Sequence, residues 1–198
     1  MTSRYCSQCG KAMCICSLIT PVENRLELII LQHPTEVGRA KGTAAILQLG
    51  LSHCKTFVGE DFSQHDELNQ LLAEPDVTHW VLFPAEQANS LEQAATISGK
   101  LRVILLDGTW KKAYKMRQIS INLRNLPCIA LPEDLQGNYK IRKSPSDNAL
   151  STVEAGYHLL EQLDTACKPQ PLLDAFEAMM EQQLAQIPPE VRKKHFGD

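Results

Sequence analysis

Residues 101–110 read LRVILLDGTW, an unbroken apolar run that ends on an aspartate, a glycine and the start of an amphipathic stretch. The run at 101–106 is too short for a buried helix. It has the composition of a strand covered on both faces, as in a parallel sheet. Residues 109–123 then read as a helix, with Trp110, Ala113, Tyr114, Arg117 and Ile121 on one face and Lys111, Lys112 and Lys115 on the other. A strand that turns into a helix through Asp-Gly places Asp107 at a carboxyl edge, where open α/β sheets bind ligands. Gly108 lets a ligand approach the backbone closely. The same residues fit a plainer role equally well: Asp107 or Thr109 as a helix cap, and Trp110 as core.

The pattern repeats outward in both directions. Residues 26–32, 55–58, 79–83 and 126–131 read as strands, and 39–50, 64–72, 91–98, 151–167 and 171–187 as helices. Residues 133–148, polar and containing Gly137 and Pro145, read as a long loop. Strands alternating with helices predict an α/β fold, with a mostly parallel sheet and helices on both faces. A chain of 198 residues with 43% apolar content can build one sizeable core. It contains no apolar run of about 18 residues, so no membrane span is expected. Its N-terminus lacks a signal-peptide stretch, which points to a soluble, cytoplasmic protein.

A net charge of −3 argues against a nucleic-acid partner, but the charges are segregated. Between Thr56 and Gly99 there are eight acids and no Lys or Arg; residues 100–143 carry ten of the 20 bases and three acids. Such a segment is either a phosphate-binding face or solvated helix surface. Seven cysteines are present, four of them as Cys6, Cys9, Cys14 and Cys16. Four thiols within eleven residues suit one tetrahedral Zn²⁺ with no open position, hence a structural metal. Free thiols and an iron–sulfur cluster are the alternatives. On this reading residues 1–20 are a zinc knuckle and 21–198 an α/β domain.

Asp107-Gly108-Thr109-Trp110 resembles the signature of the DTW-domain family. Gln32-His33-Pro34-Thr35-Glu36 leading into Arg39 is similar to a second segment of that family, and Phe83-Pro84 at a strand end to a third. Tyr139-Lys140-Ile141-Arg142-Lys143, followed by Leu150-Ser151-Thr152-Val153-Glu154-Ala155, is similar to a fourth. The N-terminal cysteines match in type, and the likeness runs from Cys6 to about Tyr157. One departure is the compact four-residue gap between the cysteine pairs, where a longer, proline-bearing gap is expected.

The resemblance implies a SPOUT-like, knotted fold, S-adenosylmethionine as donor and tRNA as partner. It implies transfer of the 3-amino-3-carboxypropyl group to N3 of a variable-loop uridine, with release of methylthioadenosine. Asp107, Thr109 and Trp110 are then the catalytic residues. Pro84, Leu106, Asp107 and Gly108, with Ser151, Thr152 and Glu154, are expected to hold the donor. By the same resemblance His33, Glu36 and Arg39 are expected to contact the donor or the acceptor RNA, the alternatives being a hydrogen bond within the turn for His33 and a helix cap with Arg39 for Glu36. Lys111, Lys112, Lys115, Arg142 and Lys143 from the basic segment are expected to meet the RNA.

The chemistry asks for such residues. The uracil N3 is a poor nucleophile until its proton leaves, and a carboxylate can take that proton. Trp110 offers a ring face for a base or a sulfonium. Ser151 to Glu154 is also a capping box, a structural role complete in itself. Rival readings are a SPOUT-like RNA methyltransferase, which would release S-adenosylhomocysteine, a non-catalytic zinc-bearing RNA-binding module, and an enzyme acting on ribosomal RNA.

Overall fold

The computed structural model describes residues 4–97, 99–132, 135, 150–188 and 190. The apolar runs become five strands: β1 (Glu27–Gln32), β2 (Cys54–Val58), β3 (Val77–Leu82), β4 (Lys100–Asp107) and β5 (Cys128–Ile129). They form one sheet in the order β2-β1-β4-β3-β5, and every pair is parallel. Seven helices follow from the amphipathic stretches: α1 (Ala44–Gly50), α2 (Asp66–Leu72), α3 (Leu91–Ala95), α4 (Trp110–Ile119), α5 (Ile121–Arg124), α6 (Thr152–Leu163) and α7 (Gln170–Leu184).

Strand pleating sends alternate side chains to opposite faces. Leu28, Ile30, Val103, Leu105 and Trp80 pack on one face with side chains of α1, α3, α6 and α7. Ile29, Leu31, Val81 and Ile104 pack on the other with Phe57, Phe62, Leu68, Met116 and Leu123. The sheet is thus buried on both sides, the condition that continuous apolar runs predict. Residues 4–19 belong to the first face, where Ile15 and Cys9 sit in the core. Among the described residues, no helix is long and apolar enough to cross a membrane. A knot is a property of the whole chain path, which includes residues outside the described ones.

Three expected elements differ. The helix expected from Arg39 begins at Ala44, because the carbonyls of Arg39, Ala40 and Gly42 point at the Lys11 amine rather than along a helix axis. The helix expected over 109–123 breaks at Ser120. There Ser63 intrudes: its Oγ, which donates to Asp61 at 2.6 Å, accepts from the Ile121 N–H and lies 3.2 Å from the Ile119 carbonyl oxygen. The buried stripe of that segment is Ala113, Met116, Ser120 and Leu123, so Trp110, Tyr114 and Ile121 face outward and Trp110 is not core. The last strand shrinks to two residues.

Gly156 of α6 lies against Leu47 of α1, and a Cβ there would sit 2.6 Å from Leu47 Cδ1 and 3.3 Å from its Cγ. Leu47 is fully buried and has no room to swing away. Gly156→Ala gains about 1 kcal/mol of helix propensity but overpacks at about 1–3 kcal/mol. The variant should therefore be less stable in urea denaturation. Combining it with Leu47→Ala should cost less than the sum of the two single changes. A more stable Gly156→Ala would show that the contact relaxes.

Candidate active site

The helices after β1 and β4 leave the sheet on opposite faces: α1 packs with Leu28 and Ile30, and Met116 of α4 with Ile29 and Ile104. A crevice opens at the carboxyl edge wherever neighbouring strands diverge in this way. Gln32 and Asp107 end these two strands and pair directly in register. Gln32 continues the Leu28–Ile30 face and Asp107 the Val103–Leu105 face, so both side chains turn toward α6. Asp107 is 8% exposed. Its Oδ2 accepts from Gln32 Nε2 at 2.8 Å, and its Oδ1 accepts from the Thr152 hydroxyl at 2.6 Å. The carboxylate therefore clasps β1, β4 and the start of α6.

This geometry removes the capping alternative for Asp107, whose carboxylate goes elsewhere, and Thr109 makes no side-chain cap bond to α4. Gly108 lies where a Cβ would come within 3.1 Å of Lys112 Cβ and 3.7 Å of His33 Cβ, so the close approach is to protein. Ser151 and Glu154 complete the capping box of α6 in both directions. Pro84 is exposed after β3, and Leu106 is half-buried beside Asp107. Arg142 and Lys143 lie outside the described residues.

A turn over 33–43 borders the clasp. The Thr35 N–H donates to His33 Nδ1 at 3.2 Å, which places the ring proton on Nε2, and that proton is donated to Glu60 Oε1 at 3.2 Å. Lys115 binds the same Glu60 oxygen at 2.9 Å. Lys115, and then His33, hold the Glu60 carboxyl below the usual carboxylate range. Lys112 donates to Thr35 Oγ1 and to Glu36 Oε1, and Arg39 pairs with Glu36 Oε2 at 3.3 Å. Two of the three lysines expected to face RNA are thus paired with acids, Lys112 with Glu36 of this turn and Lys115 with Glu60 after β2, while Lys111 is exposed.

Lys11 fastens the turn from the other side. It is 3% exposed, and its amine donates to the carbonyls of Arg39 at 2.7 Å, Ala40 at 3.3 Å and Gly42 at 2.7 Å. Burial lowers its pKa, opposed by the neighbouring Cys9 and Asp107 side chains. The knuckle and the turn touch at two glycines with left-handed backbones, Gly10 (φ 68°) and Gly38 (φ 69°); a Cβ on Gly38 would lie 3.3 Å from the Gly10 carbonyl oxygen. A cleft of about 270 Å³ remains between them, lined by Gln8, Lys11, Gln32, Glu36, Arg39 and Thr56, among others.

The four knuckle sulfurs lie within 4.8 Å of one another, with Cys6–Cys14 at 3.5 Å, Cys6–Cys16 at 3.8 Å and Cys9–Cys14 at 4.0 Å. A tetrahedron with Zn–S bonds of about 2.3 Å has edges of about 3.8 Å, so these thiols fit a single zinc-sized ion. The backbone N–H groups of Cys9 and Gln8 pull the Cys6 thiol down to about 6, while burial and its neighbours push Cys16 up to about 12. The Cys6 thiolate thus forms readily, whereas Cys16 needs a cation to lose its proton.

Beside Asp107, Trp110 and Tyr114 form an exposed aromatic ledge resting on Phe83, with ring centroids 6.3 and 6.4 Å from that ring. The Arg117 guanidinium lies 5.3 Å from the Phe83 centroid.

The family model of the DTW domain matches residues 3–184. The chain belongs to the DTW-domain family. A Drosophila melanogaster protein named tRNA-uridine aminocarboxypropyltransferase 2 is 31% identical over 169 residues, covering 81% of this chain and 66% of that protein. The proteins of the same name from Mus musculus and Macaca fascicularis are each 27% identical, covering 90% and 80% of this chain and 63% and 56% of their own lengths. The chain thus spans less than two thirds of each of these relatives. No solved structure matches it significantly.

The fold brings the DTW signature together with the His33–Arg39 turn and the Ser151–Glu154 helix start, although 45 residues separate Asp107 from Thr152. Sequence reasoning missed Gln32 as a partner of Asp107; a polar residue closing an apolar strand was the available signal. It also missed Lys11, Glu60 and Arg117. Nothing local marks Glu60.

Lys11→Met keeps the length of the side chain and removes its three donors. Hydrogen bonds to charged groups contribute about 1.5–3 kcal/mol. Stability in urea should fall by about that much, and amide exchange of Gly42, whose N–H binds the Arg39 carbonyl, should accelerate. Unchanged values of both would show that the turn holds itself.

Proposed function

We propose that this DTW-domain protein transfers the 3-amino-3-carboxypropyl group of S-adenosylmethionine to N3 of a tRNA uridine, releasing methylthioadenosine. The observation that supports it most is the Asp107 carboxylate, held from two sides at the β1–β4 crevice, in a chain related to proteins named for that activity. Asp107 takes the N3 proton. The electron pair so released forms the new C–N bond, while the C–S pair leaves with sulfur and turns the sulfonium into a neutral thioether. Gln32 and Thr152 fix both carboxylate oxygens, so the base is positioned before the acceptor arrives, which suits catalysis by orientation.

The residues present fit a cationic donor. Asp107 supplies an anion, and Trp110, with 56% of its surface exposed, supplies a ring face that attracts cations. Pro84, Leu106 and Gly108, with the α6 start at Ser151, Thr152 and Glu154, form the donor side in this reading. His33, Glu36 and Arg39 shape the acceptor side, with Thr109 and Lys111, Lys112 and Lys115 around it. The thiols of residues 1–20 hold a structural zinc that stiffens the knuckle against the catalytic body of 21–198. Clustered free thiols and a tRNA substrate suit a reducing compartment, the cytoplasm.

Protein purified without oxygen should carry about one zinc per chain. Cys6→Ser and Cys14→Ser should each lower metal content and melting temperature. Metal analysis finding neither zinc nor iron would refute the site.

Asp107→Asn tests the mechanism. Asparagine keeps the shape and presents one oxygen and one amide; an amide flip of Gln32 restores the lost hydrogen bond, so folding should survive. Loss of a general base costs about 10²–10⁴-fold in rate. Single-turnover release of methylthioadenosine on unmodified tRNA should fall by that factor, while donor and tRNA affinities change little. A rate within a few-fold of wild type would make Asp107 a clasp alone. Release of S-adenosylhomocysteine instead would mark a methyltransferase.

A further inference from the structure

Tyr114 and Arg117 stand on the outer surface of α4, outside the Asp107 clasp. Trp110 and Tyr114, one turn apart, are each 56% exposed, although aromatic rings dominate cores and interfaces. Phe83 supports both from behind. The Arg117 guanidinium sits over the same ring, and its Nε is buried with no hydrogen-bond partner. The face therefore presents two open ring surfaces and a cation without a carboxylate among the described residues.

Charge decides what covers it. Residues 110–124 contain no acid, and of their five bases Lys112 and Lys115 pair with Glu36 and Glu60, while Lys111, Arg117 and Arg124 meet no carboxylate among the described residues. A second copy docked through this face would set like charges against each other, which costs affinity. A polyanion with flat, unstacked rings is complementary in both respects. Uracil N3 lies on the Watson–Crick edge, so an acceptor uridine must be unpaired, and its neighbour loses a stacking partner. Trp110 lies three residues beyond Asp107, which puts the ledge next to the reacting base.

We propose that this face of α4 is a stacking platform for the unpaired nucleotide beside the acceptor uridine: Tyr114 takes the base and Arg117 the adjoining phosphate. The proposal rests on the tRNA-modifying reading above. Trp80 is buried and Trp110 is exposed, so quenching of tryptophan fluorescence reports binding at the ledge.

The test titrates wild type, Tyr114→Phe, Tyr114→Ala and Arg117→Gln with an unmodified tRNA transcript and with oligouridylate. Stacking on one aromatic side chain is a large part of single-strand affinity, so Tyr114→Ala should weaken both ligands by about 5- to 100-fold. Tyr114→Phe keeps the ring face and should bind like wild type. Arg117→Gln should weaken binding and flatten its salt dependence. The platform is overturned if Tyr114→Ala binds like wild type, if Tyr114→Phe loses as much as Tyr114→Ala, or if Tyr114→Ala changes the sedimentation of the free protein and leaves RNA affinity intact. Methylthioadenosine release by wild type separates the two claims. Release with an unaffected Tyr114→Ala refutes the platform and leaves the transferase. A wild type that binds tRNA with the expected Tyr114 dependence but releases no methylthioadenosine supports the platform and refutes the transferase. A wild type that neither binds tRNA nor releases the product refutes both.

Discussion

The carboxylate of Asp107 is the point on which the carboxyl edge of the sheet depends. A buried carboxylate is costly unless its oxygens are hydrogen-bonded, and here one oxygen is met by β1 and the other by α6. The requirement fixes more than a side chain. Gln32 reaches Asp107 only because the two strands pair in the register that sets these residues opposite each other. A slip by one residue would send Asp107 to the α4 face and the apolar alternation of β4 to the wrong cores. The same register therefore builds the core and aims the acid.

β4 carries a second polar anchor at its other end. Arg102 is 2% exposed and is held by Glu27, Glu74 and the Leu71 carbonyl, with His79 alongside. Burial lowers the pKa of His79 and keeps the ring neutral beside the guanidinium. Arg102 also pairs in register with Glu27. Breaking a buried pair leaves an uncompensated charge, so this end resists sliding as the Asp107 end does. A cavity of about 320 Å³ lies here, lined in part by Glu27, Glu74 and Arg102. Glu27, Glu74, Lys100 and Arg102 are paired with one another there, whereas Trp110 and Tyr114 at the opposite edge remain open.

The strands were legible because burial on both faces leaves one signature, a continuous apolar run. Asp107 was legible because it interrupts the best of those runs at a turn, and the cysteines because their spacing is local. What escaped was set by contacts distant in sequence. Lys11 draws the carbonyls of 39–42 out of helical geometry, and no periodicity within 39–50 records that. Ser63 splits the helix at Ser120 from 57 residues away. The aromatic residues of α4 fit a core stripe as well as a surface ledge. The choice is made by Ala113 and Met116, which lie closer to the sheet and fill its space first.

The knuckle and the carboxyl edge of the sheet share one network. Lys11, two residues from Cys9, holds the carbonyls of the turn, and Arg39 in that turn pairs with Glu36. Glu36 takes Lys112, whose other partner, Thr35, also binds His33, and His33 meets Glu60. Each link has its donors and acceptors assigned, and satisfied polar networks are rigid. The turn has little apolar surface of its own to order it: Pro34, Thr35 and Glu36 form a single short 3-10 turn with no buried residue. Its shape is therefore borrowed, from α4 through Lys112 and from the knuckle through Lys11. A metal held by the four thiols would act on the same turn that borders Asp107, which would give a closed cysteine site a reason to sit beside the Asp107 clasp.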